Sequence, residues 1–441
     1  MFTRKDLVRL ILPLMIEQIL AVTIGLADTV MVSTVGEAAV SAISLVDSIN
    51  ILLINIFTAL ATGGAVVASQ YLGRGDREAG CNAAKQLCLS ITALSTLIAV
   101  LAFAFYRPLL HTIFGHVEQS VMSRAEIYFI LSVISYPFLG IYNAGAALFR
   151  SMNNSKVSMF TSLLMNLVNI CGNALLIYVF RFDVAGAGFA SLASRVLGAV
   201  IMARLITHHE NPLHIENLRD WRPQFSMIRR ILNLGIPNGL EGGIFQIGKI
   251  LVQSLIASFG TGAIAANAVA STVASMEVIP GNAIGLALIT VVGQCVGAGD
   301  YDAAKKYTVR LMKVTYLVMS VLNVAILFAA PAITQFFSLE AETARVSVQL
   351  MWCHGLGAIV IWPMAFAFPN ALRAAGDMKV TMLISAFSMW AFRIGMSYVL
   401  AKWMALGVLG VWLAMEVDWV FRAIAFILRF RSGKWRAKRA I

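Results

Sequence analysis

Charge is scarce in this chain. Only 13% of its 441 residues are Asp, Glu, Lys or Arg, while 59% are hydrophobic, and so little polar surface cannot cover a soluble globule of that size. Cysteine is sparse too. Cys81, Cys88, Cys171, Cys295 and Cys353 lack metal-type spacing and three lie in apolar stretches, where a thiol acts as a small hydrophobe, so no disulfide framework is expected. The six histidines give no metal constellation; His208 and His209 are loop residues, and His354 is expected as a hydrogen-bonded packing residue. The short loops lack the clustered His, Asp or Ser that chemistry on a lipid headgroup needs. No cleavable leader is expected, because the apolar stretch after the charged N-terminus runs for about 20 residues, enough to span a bilayer, without a small-residue cleavage pattern.

What fills the chain is a series of apolar windows of membrane-spanning length. Twelve are bounded by charge, Gly or Pro, near 7–32, 41–71, 86–106, 125–149, 157–180, 184–206, 229–256, 262–293, 308–330, 346–371, 380–401 and 406–428, which predicts an all-α integral membrane protein of twelve transmembrane helices. An even count puts both termini on one side. Counting Arg9, Arg204, Arg229, Arg230 and Arg429 at the ends of their spans, the termini and the loops 72–85, 150–156, 207–228, 294–313 and 372–379 carry 25 Lys and Arg, against five in the opposite loops, namely Arg107, Arg124, Arg181, Arg345 and Lys402. Both termini are therefore expected in the cytoplasm. The net charge of +12 is then topology and calls for no nucleic acid. The basic tail Arg429, Arg431, Lys434, Arg436, Lys438 and Arg439 either meets anionic lipid headgroups or serves as a plain stop-transfer signal.

The apolar pattern is also written twice. Pro13 and Pro237, Glu17 and Glu241, Gly36 and Gly260, and Gln70 and Gln294 pair at a constant offset of 224 residues, as do Gly73, Gly75 and Asp76 with Gly297, Gly299 and Asp300. Duplication in a membrane chain points to a transporter. Two pseudo-symmetric six-helix lobes of like orientation are expected at 1–206 and 229–441, joined by a polar cytoplasmic linker, 207–228, that contains Asn211-Pro212, Arg219, Asp220 and Arg222-Pro223.

Several strings carry a family resemblance: Asp28-Thr29-Val30-Met31-Val32 followed by Gly36; Gln70-Tyr71-Leu72-Gly73-Arg74-Gly75-Asp76 with its echo Gln294-Cys295-Val296-Gly297-Ala298-Gly299-Asp300; Tyr136-Pro137 with Trp362-Pro363; and Arg150 to Lys156 with Arg373 to Lys379. Over essentially its whole length the chain resembles the multidrug and toxic compound extrusion (MATE) family. The resemblance implies a secondary antiporter, not an enzyme, that expels organic cations and other amphipathic compounds in exchange for protons or sodium ions. It implies no cofactor beyond that coupling ion. Small molecules and membrane lipids are the expected partners, a monomer the expected state, and so compact a chain suits a prokaryotic inner membrane. A lipid-linked precursor flippase of the same fold is the alternative, disfavoured by twelve spans and an acidic set; an integral membrane lipid-modifying enzyme is a third reading.

Carboxylates within spans are costly in hydrocarbon and become the candidate sites. Asp28 follows Glu17 by eleven residues, close to three helical turns, so both project from nearly one face. Glu17 either joins Asp28 in coupling or pairs with a basic residue near the cytoplasmic surface. In the family the first-span Asp takes part in coupling. Asn169 and Asn173, one turn apart, can complete an oxygen site for sodium beside Asp28, or act as interhelical packing residues. Relatives commonly have Asp where this chain has Asn173, which leaves Asp28 as the sole carboxylate of the cluster and favours protons. In the second lobe Glu241, Lys249 and Glu277 are candidates for a cavity, with a Glu277–Lys249 ion pair as the alternative and Pro280 freeing a backbone carbonyl. Tyr136 and Trp362 are the candidates for the substrate cavity. Asp418 and Arg422 are spaced to neutralise each other; Arg195, Arg393 and Glu416 have no partner legible in sequence.

The topology is tested by cysteine labelling. Residues 153 and 215 should react only from the cytoplasmic side and residue 117 only from outside; cytoplasmic labelling of 117 contradicts the span assignment.

Overall fold

The computed structural model describes every residue except Met1, His116, 217–221, Ser338 and Arg439, and all side chains of the rest but Leu26 and Phe336. Arg219 and Asp220 of the linker and Arg439 of the tail lie outside the described residues. Among the described residues all regular secondary structure is helical, with no strand. They form two compact units, Met1–Gly239 and Leu240–Ile441.

The first unit contains α1 (Arg4–Ser33), α2 (Glu37–Arg74), α3 (Arg77–Ala104), a short α4 (Tyr106–Phe114), α5 (Gln119–Ser151), α6 (Ser155–Asn173), which continues as a π-helical turn Ala174–Val179, α7 (Asp183–Leu205) and the start of α8 (Phe225–Ala257). The second holds the rest of α8, then α9 (Thr261–Glu277), α10 (Ile279–Gly297), α11 (Tyr301–Phe336), α12 (Ala341–Val360), α13 (Pro369–Ala374), α14 (Met378–Ser388), α15 (Met396–Tyr398) and α16 (Gly407–Arg431). Ten helical stretches are long and apolar enough to cross a membrane, or eleven if α12 and Pro363–Ala374, which bend by 61°, count as one. The window 406–428 falls on α16, whose Glu416, Asp418 and Arg422 interrupt its apolar run. The window 262–293 is split between α9 and α10, because Pro280 enters the first turn of α10.

Burial runs opposite to that of a soluble protein. On α11, Leu311, Thr315, Met319 and Asn323 recur every four residues and are buried, while Leu317, Val321 and Phe328 are exposed. An apolar outside and a partly polar inside is what a lipid solvent selects. Small residues let helices approach. In the first unit α5 packs against α2, α3 and α7, and a Cβ placed on Gly145 would lie 2.6 Å from Met202 Cβ.

The linker is folded onto the first unit. Arg77, at the start of α3, donates to the carbonyls of Pro212 (3.1 Å), His209 (3.0 Å) and Asn211 (2.8 Å). Gln86 donates to the Arg222 carbonyl and accepts from the Gln224 amide, each at 3.0 Å, and Leu213 is fully buried.

The duplicated strings have duplicated backbones. Gly75 and Gly299 close α2 and α10 at φ +78° and +76°, and Asp76 and Asp300 cap α3 and α11 by accepting from Ala79 (3.0 Å) and Ala303 (2.8 Å). The left-handed turn thus falls on the second glycine of each pair, while Gly73 and Gly297 remain helical. Gly75→Val and Gly299→Val should each cost about 1–2 kcal/mol, and Gly75→Asn should recover most of that. Thermal unfolding in detergent checks it; equal losses for Val and Asn would contradict the left-handed requirement.

Candidate ion and substrate sites

Asp28 meets its expected partners in the first unit. The Asn173 amide on α6 donates to Asp28 Oδ1 at 2.5 Å and to Asn169 Oδ1 at 3.2 Å, and Asn169 donates to Ser191 on α7 at 3.1 Å. Asn169 and Asn173 are fully or almost fully buried.

A second carboxylate, which the sequence reading passed over, belongs to the same region. Asp47 on α2 accepts from Asn50 at 3.0 Å and from the Tyr128 hydroxyl. Asn50 in turn donates to Ser132 (3.3 Å) and accepts from Tyr136 (2.8 Å). Arg195 donates to Ser135 at 2.6 Å and acts electrostatically on both Asp28 and Asp47, which also repel each other. Asp28 is thus not the sole carboxylate here. The signal was available, since Asp47 is an acid inside the predicted window 41–71. Tyr136, expected in a substrate cavity, is fully buried and works as a donor in this network.

Glu17 has different partners. Arg150 binds it at 3.1 Å and the Ser158 hydroxyl donates to its other oxygen at 2.7 Å. The second unit repeats the arrangement: Arg373 binds Glu241 at 2.6 Å and Asn370 at 2.9 Å. Both pairs join the residue four after the repeated proline to the arginine that opens the shared strings Arg150 to Lys156 and Arg373 to Lys379. Of the two sequence readings of Glu17, the geometry matches the ion pair.

The second unit holds a cavity of about 730 Å³ whose lining includes Phe245, Lys249, Trp362, Phe366, Arg393 and Trp419. Lys249 and Trp362 fall where expected; Glu241 and Glu277 are not among its lining residues. Glu277 is completely buried and pairs with His354 Nδ1, not with Lys249. The Glu277 carbonyl, at the end of α9, accepts from Asn323 at 3.4 Å. Asp418 accepts from Arg422 at 2.8 Å, as its spacing requires, and also from Ser388; Arg393 approaches it at 3.8 Å. Glu416 lies against Gly357, where any Cβ would overlap its carboxylate, and neither of its oxygens has a hydrogen-bond partner.

One histidine cluster corrects the expectation of none. His209, His214 and Glu216 in the linker bring one ligand atom each to within 4.8 Å of one another. His214 already pairs with Glu216 at 3.6 Å.

The repeat itself is shared with known proteins. The MatE family profile matches residues 13–175 and again residues 237–399, so both ends of the match shift by the 224 residues of the repeat. The chain belongs to the MATE family. It is a multi-pass membrane transporter and not an enzyme. MATE relatives include the probable multidrug resistance protein NorM of Thermotoga maritima, 26% identical over 99% of this chain and 94% of its own. The uncharacterized transporter YisQ of Bacillus subtilis is 25% identical, with 97% and 94% covered. A crystal structure of MATE in the bent conformation superposes with a TM-score of 0.90 at 20% identity, covering 98% of this chain and 96% of that one, which supports the fold.

The repeated ion pairs make a stability prediction. Arg150→Met or Arg373→Met strands a mostly buried carboxylate and should cost about 3–5 kcal/mol. Adding Glu17→Gln or Glu241→Gln to its partner's variant should recover much of the loss. Strictly additive losses in thermal unfolding would show that the pairs do not interact.

Proposed function

We propose that this MATE transporter is a multidrug efflux antiporter that exports organic cations or other amphipathic molecules in exchange for protons by alternating access. The observation that carries the reading is the contact between Asp28 and the amide of Asn173, which is itself held by Asn169. That amide already supplies the positive edge a sodium ion would supply, so the exchangeable species on Asp28 is a proton; sodium remains the competing coupling ion. Asp47 and Arg195 keep the surrounding charge balanced as the proton comes and goes. An inward cation drives export only if its binding distinguishes the two states of the carrier. Crossing the membrane potential adds about 2.3 kcal/mol per charge per 100 mV, so one proton per cycle is a useful bias.

The basic loops favour a cell membrane location with both termini in the cytoplasm, and a compact chain suits a prokaryotic inner membrane. A monomer with two lobes and no cofactor suffices for the cycle.

The test is Asp28→Asn in proteoliposomes. The variant should fold, insert and bind substrate, yet lose gradient-driven efflux. Efflux at the wild-type rate would move coupling to Glu241 and Glu277 in the second unit.

A further inference from the structure

The two copies of the repeat have diverged in charge at matching positions. The 224-residue register is pinned on both sides by Glu17 with Glu241, Gly36 with Gly260, and Gln70 with Gln294. Within it Asp28 corresponds to Val252 and Asp47 to Ser271, and both of these neutral residues line the cavity of the second unit. The acids of the first copy are therefore absent from the second copy's cavity wall, where Lys249 and Arg393 are present instead.

No carboxylate is among the described lining residues of this cavity. Glu277 holds His354, Asp418 holds Arg422 and Ser388 and approaches Arg393, and Glu416 is packed against Gly357. Among the described residues no carboxylate pairs with Lys249. Two of the lining rings, Phe245 and Phe366, already face a guanidinium. Arg393 and Arg422 lie 5.8 and 5.7 Å from the Phe245 centroid, and Arg422 lies 5.3 Å from that of Phe366. A ring's negative face that already carries a guanidinium offers little to a second cation. Trp362 stacks on Phe366 at 5.2 Å and adds flat apolar area.

We infer that this cavity binds flat aromatic anions, with the carboxylate or sulfonate at Lys249 and Arg393 and the ring system against Trp362. This rests on the efflux reading and narrows its substrate class at this cavity from organic cations to anionic amphipaths. A charge-assisted hydrogen bond contributes about 1.5–3 kcal/mol, enough for discrimination of about ten-fold or more.

The test is equilibrium fluorescence polarisation on the purified full-length protein in phosphatidylcholine nanodiscs, with two probes on one xanthene scaffold, fluorescein as the anion and rhodamine 123 as the cation. Wild type should prefer fluorescein by about ten-fold. Lys249→Gln should lose about ten-fold in fluorescein affinity while its thermal unfolding stays unchanged, and Lys249→Arg should restore it. A preference for rhodamine 123, or a Lys249→Gln variant that binds fluorescein as wild type does, overturns the inference. Displacement of fluorescein by a few mole per cent of phosphatidylglycerol would assign the cavity to lipid headgroups and overturn it equally. No gradient is present in this assay, so undriven protein that still binds fluorescein through Lys249 would support the site even if proton coupling failed.

Discussion

Hydrocarbon offers no hydrogen-bond partners, so every polar group that the helices carry into the bilayer must be met by another protein group. That constraint shapes both units. Asp28 is met by an amide, Asp47 by an amide and a phenol, Glu17 and Glu241 by arginines, Glu277 by an imidazole, and Asp418 by a guanidinium and a hydroxyl. The differences among these partners separate scaffold from function. A carboxylate held by arginine in both copies behaves as a strut. One held by a neutral amide has a partner that tolerates either protonation state, which is what a coupling site requires.

Duplication sets which parts are struts. The glycine turns, the aspartate caps and the Glu–Arg pairs occur in both copies with nearly the same dihedrals and partners, so they belong to the helical framework inherited by each unit. The Asp28 cluster has no counterpart, because the second copy has Val252 and Ser271 at the positions of Asp28 and Asp47. At these two positions the first copy has carboxylates and the second has neutral residues that line a cavity with Lys249, Arg393 and aromatic side chains.

Much of this was legible in the sequence, for physical reasons. Periodic punctuation at a fixed offset shows through any amount of apolar drift, because glycines at positive φ and capping aspartates tolerate few replacements. Contacts within one helix were legible as well, as in Asn169 with Asn173 and Asp418 with Arg422. The arginine partners of Glu17 and Glu241 were not, since they lie 133 and 132 residues away along the chain. His354 was read as a packing residue because nothing local connects it to Glu277, 77 residues earlier. Asp47 is a different case: its position inside an apolar window marks it in sequence, as it marks Glu277 and Asp418. The linker histidines converge only because the chain folds back on α3.

The account depends on the species that Asp28 exchanges. The most direct measurement is efflux by the wild-type protein in proteoliposomes, with a proton gradient and a sodium gradient imposed separately and the other ion held equal on both sides. The account predicts efflux driven by the proton gradient alone and none by sodium at clamped pH. Sodium-driven efflux with no proton gradient would contradict it.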